Sequence, residues 1–233
     1  MNVIITGATK GIGKATAYKF ASEGANLAIC ARTEGDLESL SDDISSKFPP
    51  SRVLKSHFDV ADKNEVKSFA EMVLKEWDHI DVLINNAGMF KPGEIHKEEE
   101  GVLEEMINTN LYSAYHLSRA LIPKFIEQKS GHIFNLCSTA SVIAYPNGGA
   151  YSISKFALLG MTKNLRKELE TYNIKVTAII PGATFTDSWS DSGIPEDRFM
   201  APEDIASAIW SAYSLSPNAN VDEILIRPVT GDV

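Results

Sequence analysis

Tyr151 and Lys155 stand four residues apart in a segment of helical spacing, which puts them on one helix face, one turn from each other. Ser138 precedes the tyrosine by thirteen residues, at the end of a short apolar run. A phenol can hand a proton to a substrate oxygen, but its reference pKa of about 10 means it needs help near neutrality. A lysine ammonium beside it favours the phenolate and lowers that pKa. A serine hydroxyl can hydrogen-bond the same oxygen and hold it against the phenol. Together the three suit a carbonyl whose carbon receives a hydride and whose oxygen receives a proton. Positioned acid catalysis of this kind contributes typically about 10²–10⁴-fold. Taken singly, each residue has a plainer meaning. Tyr-x-x-x-Lys is a common exposed helix pair, and Ser138 a common strand-end hydroxyl. A hydrolase nucleophile is a further alternative for Ser138, but Leu136-Cys137-Ser138-Thr139-Ala140 lacks the G-x-S-x-G elbow. His57, His79, His96, His116 and His132 stand in no evident base motif.

Short β-branched runs alternate with longer helical patterns around these residues. Val3–Thr6, Asn26–Ala31, Val53–Phe58, Val82–Asn85, His132–Leu136, Lys175–Ile180 and Glu223–Arg227 read as strands. Most are continuous apolar runs, as expected where both sheet faces are covered. Gly13–Ser22, Glu34–Lys47, Lys63–Trp77, Val102–Gln128, Ala150–Tyr172 and Pro202–Ser214 read as helices. Such alternation implies right-handed crossovers and a parallel sheet, an α/β fold. No repeat, low-complexity linker or composition break divides the chain. Its Gly/Pro clusters are loop-sized, which favours a single domain over residues 1–233. The acidic run Glu98-Glu99-Glu100 reads as a solvated helix start rather than a metal site, since no His or Cys stands at ligand spacing.

Thr6-Gly7-Ala8-Thr9-Lys10-Gly11-Ile12-Gly13 follows the first strand and opens the first helix. Glycines there let the backbone turn sharply and approach a pyrophosphate, which the helix N-terminus then receives with free N–H groups. A tight strand–helix connection is the plain alternative, and the strand–turn–helix context tilts the reading towards a nucleotide. Dinucleotide folds specific for NAD place an acid after the second strand for the ribose hydroxyls. Here that strand ends Ala31-Arg32-Thr33. Arg32 can meet a 2′-phosphate with its donor fork, joined by Lys10, so NADP(H) is favoured over NAD(H). Glu34 or Asp36 is open as a ribose contact or as a helix-start acid.

The 233 residues carry 22 Lys+Arg against 31 Asp+Glu, a net charge of −9, which argues against a nucleic-acid partner. No stretch approaches the roughly 18 uninterrupted apolar residues of a membrane span. Met1-Asn2 leads at once into a strand, with no basic and apolar leader. Cys30 and Cys137 are too few for a disulfide framework or a structural zinc site, so a reduced, cytoplasmic protein without a metal is expected.

At this point the sequence resembles the short-chain dehydrogenase/reductase family. Thr6 to Gly13 is similar to its TGxxxGIG motif, and Asn85-Asn86-Ala87-Gly88 to its NNAG motif. Asn110, Ser138, Tyr151 and Lys155 match its catalytic tetrad, and Pro181-Gly182 with Thr186 the segment flanking the nicotinamide. The resemblance implies a Rossmann-type doubly wound sheet of seven strands in the order 3-2-1-4-5-6-7. It implies Tyr151 as general acid/base, Lys155 lowering its pKa and bonding the nicotinamide ribose, Ser138 orienting the substrate oxygen, and Asn110 supporting a proton-relay water. Gly7, Thr9, Lys10, Gly11, Ile12, Gly13, Arg32, Asp59, Val60, Asn86, Ala87, Gly88, Pro181, Gly182, Thr184 and Thr186 would then line the cofactor. A homodimer or homotetramer is implied as well. Within the family, the tail Glu223 to Asp232 looks most like bacterial sepiapterin-reductase-like members. It looks more loosely like 3-oxoacyl-acyl-carrier-protein reductases, whose usual Asp-Gly-Gly ending it lacks.

The expected activity is therefore NADPH-dependent reduction of a small-molecule carbonyl, sepiapterin-like or another diketone. A 3-oxoacyl-acyl-carrier-protein reductase is the first alternative, and a non-catalytic NADP-binding regulator the second. A lid over residues 183–200 would roof the pocket with Trp189 and Phe199, among the acids Asp187, Asp191 and Asp197, and Tyr145 would form another wall. Aromatic and acidic groups together suit a planar, nitrogen-rich ring. A loop that packs its aromatics on itself and solvates its acids is the competing reading.

Overall fold

The computed structural model describes residues 1–189 and 193–231. Asp191 of the expected lid and Asp232 of the tail lie outside the described residues. Strands β1 (Asn2–Thr6), β2 (Asn26–Ala31), β3 (Val53–His57), β4 (Val82–Asn85), β5 (His132–Leu136), β6 (Lys175–Pro181) and β7 (Glu223–Ile226) form one parallel sheet. Its order is β3-β2-β1-β4-β5-β6-β7, as the resemblance implied.

The apolar runs explain why the strands are central. Val3, Ile5, Leu27, Ile29, Val82 and Ile84 face one layer, built from α1 (Gly11–Ser22), α2 (Glu34–Lys47) and α7 (Pro202–Tyr213). Ile4, Ala28, Cys30 and Leu83, from the alternate positions, face another layer that includes α3 (Lys63–Glu76). With both faces buried, alternation of polar and apolar residues disappears. β7 departs from this. It is an edge strand, with Glu223 and Leu225 exposed and Ile224 and Ile226 half-buried.

The apolar pattern over 102–128 is not one helix. It divides into α4 (Val102–Ile107), a wide turn at Asn108–Tyr112 and α5 (Ser113–Gln128). In the wide turn the Ser113 N–H donates to the Asn108 carbonyl, five residues back instead of four. One added residue per turn leaves the apolar spacing almost intact, and such bulges occur frequently at functional sites. It carries Asn110, which is buried. α6 (Gly149–Leu169) holds Tyr151 and Lys155. Among the described residues no helix is long and apolar enough to cross a membrane, and no group of His, Cys, Asp and Glu could hold a metal ion.

Candidate active site

A cleft of about 610 Å³ opens at the C-terminal ends of the strands, where the order turns from β1 to β4. Open α/β sheets bind ligands at this switch point. At one end lies the glycine loop. Gly7 and Gly11 take positive φ of 63° and 49°. A Cβ on Gly13 would stand 2.2 Å from the Gly7 carbonyl oxygen and 2.4 Å from Asn86 Nδ2. That crowding has a source. Asn86 Nδ2 donates to the Thr6 and Gly7 carbonyls, both at 2.9 Å. Thr6 Oγ1 accepts from the backbone N–H groups of Asn86 (3.1 Å) and Ala87 (3.0 Å). The segment after β4 thus fastens the loop after β1.

Beside this loop Arg32 is exposed at the tip of β2, and Lys10 precedes α1. Lys10 Nζ lies 3.1 Å from the Asp187 carboxylate, which holds its ammonium above the usual pKa; Asp36 adds to the shift and Arg32 opposes it. Asp36 lines the cleft, while Glu34 faces His57 at 3.8 Å instead.

At the other end Ser138, Tyr151 and Lys155 converge. Ser138 caps a short helical turn: its Oγ accepts from the Ala140 N–H at 3.1 Å, and its own N–H donates to Ser141 Oγ at 3.1 Å. Burial pushes the Tyr151 hydroxyl up to about 12, and a hydrogen bond with Ser138 opposes the rise. Lys155 Nζ lies 5.8 Å from the Tyr151 ring centre and donates to the Leu136 carbonyl at 2.7 Å. Burial pulls it down to about 8. Burial is the larger influence on the phenol, and the Ser138 hydrogen bond acts against it.

Asn110 lies behind the cleft. Its Oδ1 accepts from the Met89 N–H (2.7 Å), and its Nδ2 donates to the Met89 carbonyl (3.0 Å) and to Ser154 Oγ (2.9 Å). Ser154 in turn donates to the Tyr151 carbonyl at 2.7 Å. The side chain is committed to bracing β4's following loop against α6.

Of the residues proposed from sequence, Gly7, Thr9, Lys10, Gly11, Ile12, Arg32, Asp59, Val60, Asn86, Ala87, Gly88, Ser138, Tyr145, Tyr151, Lys155, Pro181, Gly182, Thr184, Thr186 and Trp189 line the cleft. Gly13, Asn110 and Phe199 do not. Gly13 packs beneath the loop, Asn110 braces, and the Phe199 ring lies tilted against Trp189 at 5.2 Å and against Phe185 at 5.8 Å. Phe90 lines the cleft unforeseen. Its ring meets Tyr151 edge-on at 4.8 Å and 77°, and lies roughly parallel to Trp189 at 6.1 Å and 25°. Sequence offered only its place two residues after Gly88.

The short chain dehydrogenase family profile matches residues 1–196. The chain belongs to that family. It is 32% identical over 242 residues to a sepiapterin reductase of Chlorobaculum tepidum, covering 99% of this chain and 97% of that one. It is 33% identical over 216 residues to a 3-oxoacyl-[acyl-carrier-protein] reductase of Thermotoga maritima, covering 88% and 87%. Among solved structures it superposes on an alcohol dehydrogenase of the archaeon Thermococcus sibiricus, complexed with 5-hydroxy-NADP. The TM-score is 0.91 at 27% identity, over 98% of this chain and 96% of that one.

Proposed function

We propose that the protein reduces a small-molecule carbonyl to an alcohol, reversibly, with NADPH. The observation that carries this reading is one cleft with Ser138, Tyr151 and Lys155 at one end and Arg32 and Lys10 at the other. The cofactor fits the residues present. Two glycines of the loop turn at positive φ beside a helix N-terminus, and the cations Lys10 and Arg32, which suit a 2′-phosphate, line the same cleft. Gly7, Thr9, Gly11 and Ile12 would hold the pyrophosphate, Asp59 and Val60 would border the adenine, and Gly182, Thr184 and Thr186 would flank the nicotinamide. A bound NADPH supplies the hydride. Tyr151 gives its proton to the substrate oxygen, Ser138 hydrogen-bonds that oxygen and holds it beside the phenol, and the Lys155 ammonium makes proton loss from Tyr151 less costly. Asn110 acts through Met89 and Ser154 as a brace.

For the substrate we favour a flat, ring-bearing or diketone carbonyl of the sepiapterin kind, because Phe90, Trp189 and Tyr145 wall the cleft around Tyr151. Likeness to the Thermotoga enzyme supports a 3-oxoacyl thioester as the second reading. A purely regulatory NADP-binding role fits less well, since it has no use for the assembled tyrosine, serine and lysine. We take residues 1–233 as a single Rossmann domain with a lid over 183–200, working in the cytoplasm, in keeping with two buried free thiols. Exposed Tyr112, Tyr115, Ile153 and Phe156 on the outer faces of α5, its preceding turn and α6 support a homodimer or homotetramer.

NADPH consumption with sepiapterin, an acetoacetyl thioester and simple diketones tests the reading. Turnover of a ring-bearing or simple diketone is expected, and no turnover of any carbonyl would overturn it. Arg32→Ala is expected to raise the NADPH Kd about tenfold, the lower end for a lost charge-assisted bond, because Arg32 is exposed. The NADH Kd should barely move. A wild type that binds NADH more tightly than NADPH would contradict this assignment.

A further inference from the structure

We infer that Glu98 is a positioning residue for the reaction, clamping the helix that presents Tyr151. The inference rests on the reading of Tyr151 as proton donor. The first N–H groups of any helix lack intrahelical acceptors. α6 has no capping side chain of its own at Gly148 and no acid in its first turn. The acceptor comes from far away in sequence: Glu98 Oε1 receives the Ala150 N–H at 2.8 Å, across 52 residues. A carboxylate is also the favourable charge at a helix N-terminus.

The surrounding backbone is shaped to admit this side chain. A Cβ on Gly149 would stand 1.9 Å from Glu98 Oε1 and 2.5 Å from the Gly93 carbonyl oxygen. One on Gly93 would stand 2.7 Å from Glu98 Cγ. Gly93 itself pairs with the same stretch, its N–H donating to the Asn147 carbonyl at 3.0 Å. Glu98 is held in turn by its own N–H, which donates to the Glu94 carbonyl at 3.0 Å. The loop from Gly88 to Glu98 therefore touches α6 twice. Phe90 meets the Tyr151 ring edge-on, and Glu98 ties down the amide of the residue just before Tyr151. Glu98 does not line the cleft, so its effect must pass through the position of the phenol.

The test compares wild type with Glu98→Ala, Glu98→Gln and the exposed-neighbour control Glu99→Ala. Glu98→Ala is expected to lower kcat about 10- to 100-fold, since a misplacement of about 1 Å can cost about 10²-fold. The substrate KM and the NADPH Kd should stay within about twofold, because no group that lines the cleft is removed. Glu98→Gln keeps an acceptor oxygen and should restore most of kcat, and Glu99→Ala should match wild type. Amide hydrogen exchange over residues 149–155 supplies a readout that needs no turnover: it should quicken in Glu98→Ala and return in Glu98→Gln. Tyr151→Phe runs in parallel. If Tyr151→Phe is inactive while Glu98→Ala keeps wild-type kcat, the clamp is overturned and the proton donor stands. If Tyr151→Phe is as active as wild type, the proton donor falls instead. Unchanged exchange in Glu98→Ala would overturn the clamp by itself.

Discussion

Tyr151→Phe is expected to lower kcat for carbonyl reduction by about 10²–10⁴-fold, the range for a positioned acid. Phenylalanine keeps the ring that meets Phe90 and removes only the hydroxyl, so the variant should fold and bind NADPH as wild type does. Comparable rates for the two proteins would remove Tyr151 from the chemistry. The pH profile carries a second mark of the same site. With its hydroxyl pushed up to about 12 by burial, Tyr151 stays protonated across the neutral range and is poised as an acid. Lys155 sits at about 8, also through burial, and is therefore the group that changes charge first as pH rises. Its ammonium favours the phenolate, so its loss makes Tyr151 a poorer donor. kcat/KM for reduction, which reports the free enzyme, should accordingly decline above about pH 8. A profile flat well above that pH would show that the Lys155 charge plays no part.

Much of this arrangement is legible in the sequence. The strands are legible because burial on both faces demands continuous apolar runs, and Asn26–Ala31 ends where such a run meets Arg32. The glycine loop is legible because turn, close approach and helix start each constrain residue type. What stays hidden shares a cause: it depends on contacts between distant segments. The wide turn at Asn108–Tyr112 adds a residue without disturbing the apolar spacing, so 102–128 looks like one helix. Glu98 looks like the start of its own local helix and instead serves α6. Phe90 and Phe199 are both aromatic loop residues, and only packing decides that the first lines the cleft while the second backs Trp189. The Tyr151 pKa is likewise a property of the closed-in site. Spacing puts a lysine nearby, but the depth of burial settles which influence dominates.

Gly13→Ala should be strongly damaging to both stability and cofactor binding. The new Cβ would lie 2.2 Å from the Gly7 carbonyl oxygen and 2.4 Å from Asn86 Nδ2, both far inside contact distance. Neither neighbour is the loose end of a flexible chain. The carbonyl belongs to a backbone turning at φ 63°, and the amide is held by two acceptors, the Thr6 and Gly7 oxygens. Overpacking of this kind costs typically about 1–3 kcal/mol. Pushing Asn86 away also strands its partly buried donor and the carbonyls it served, at about 1–3 kcal/mol for each group left unsatisfied. Such a sum is a large part of a typical stability of about 5–15 kcal/mol. The loop that would cradle the pyrophosphate is the same loop that must move, so NADPH binding should be lost along with stability. Gly35→Ala is the matched control, because nothing lies within 4 Å of a Cβ there. Thermal melts with and without NADPH decide the matter. Gly35→Ala should melt close to wild type, whereas Gly13→Ala should melt markedly lower and gain nothing from added NADPH. A Gly13→Ala protein with wild-type melting and wild-type NADPH affinity would mean that the contact between the glycine loop and Asn86 is not the rigid brace described above.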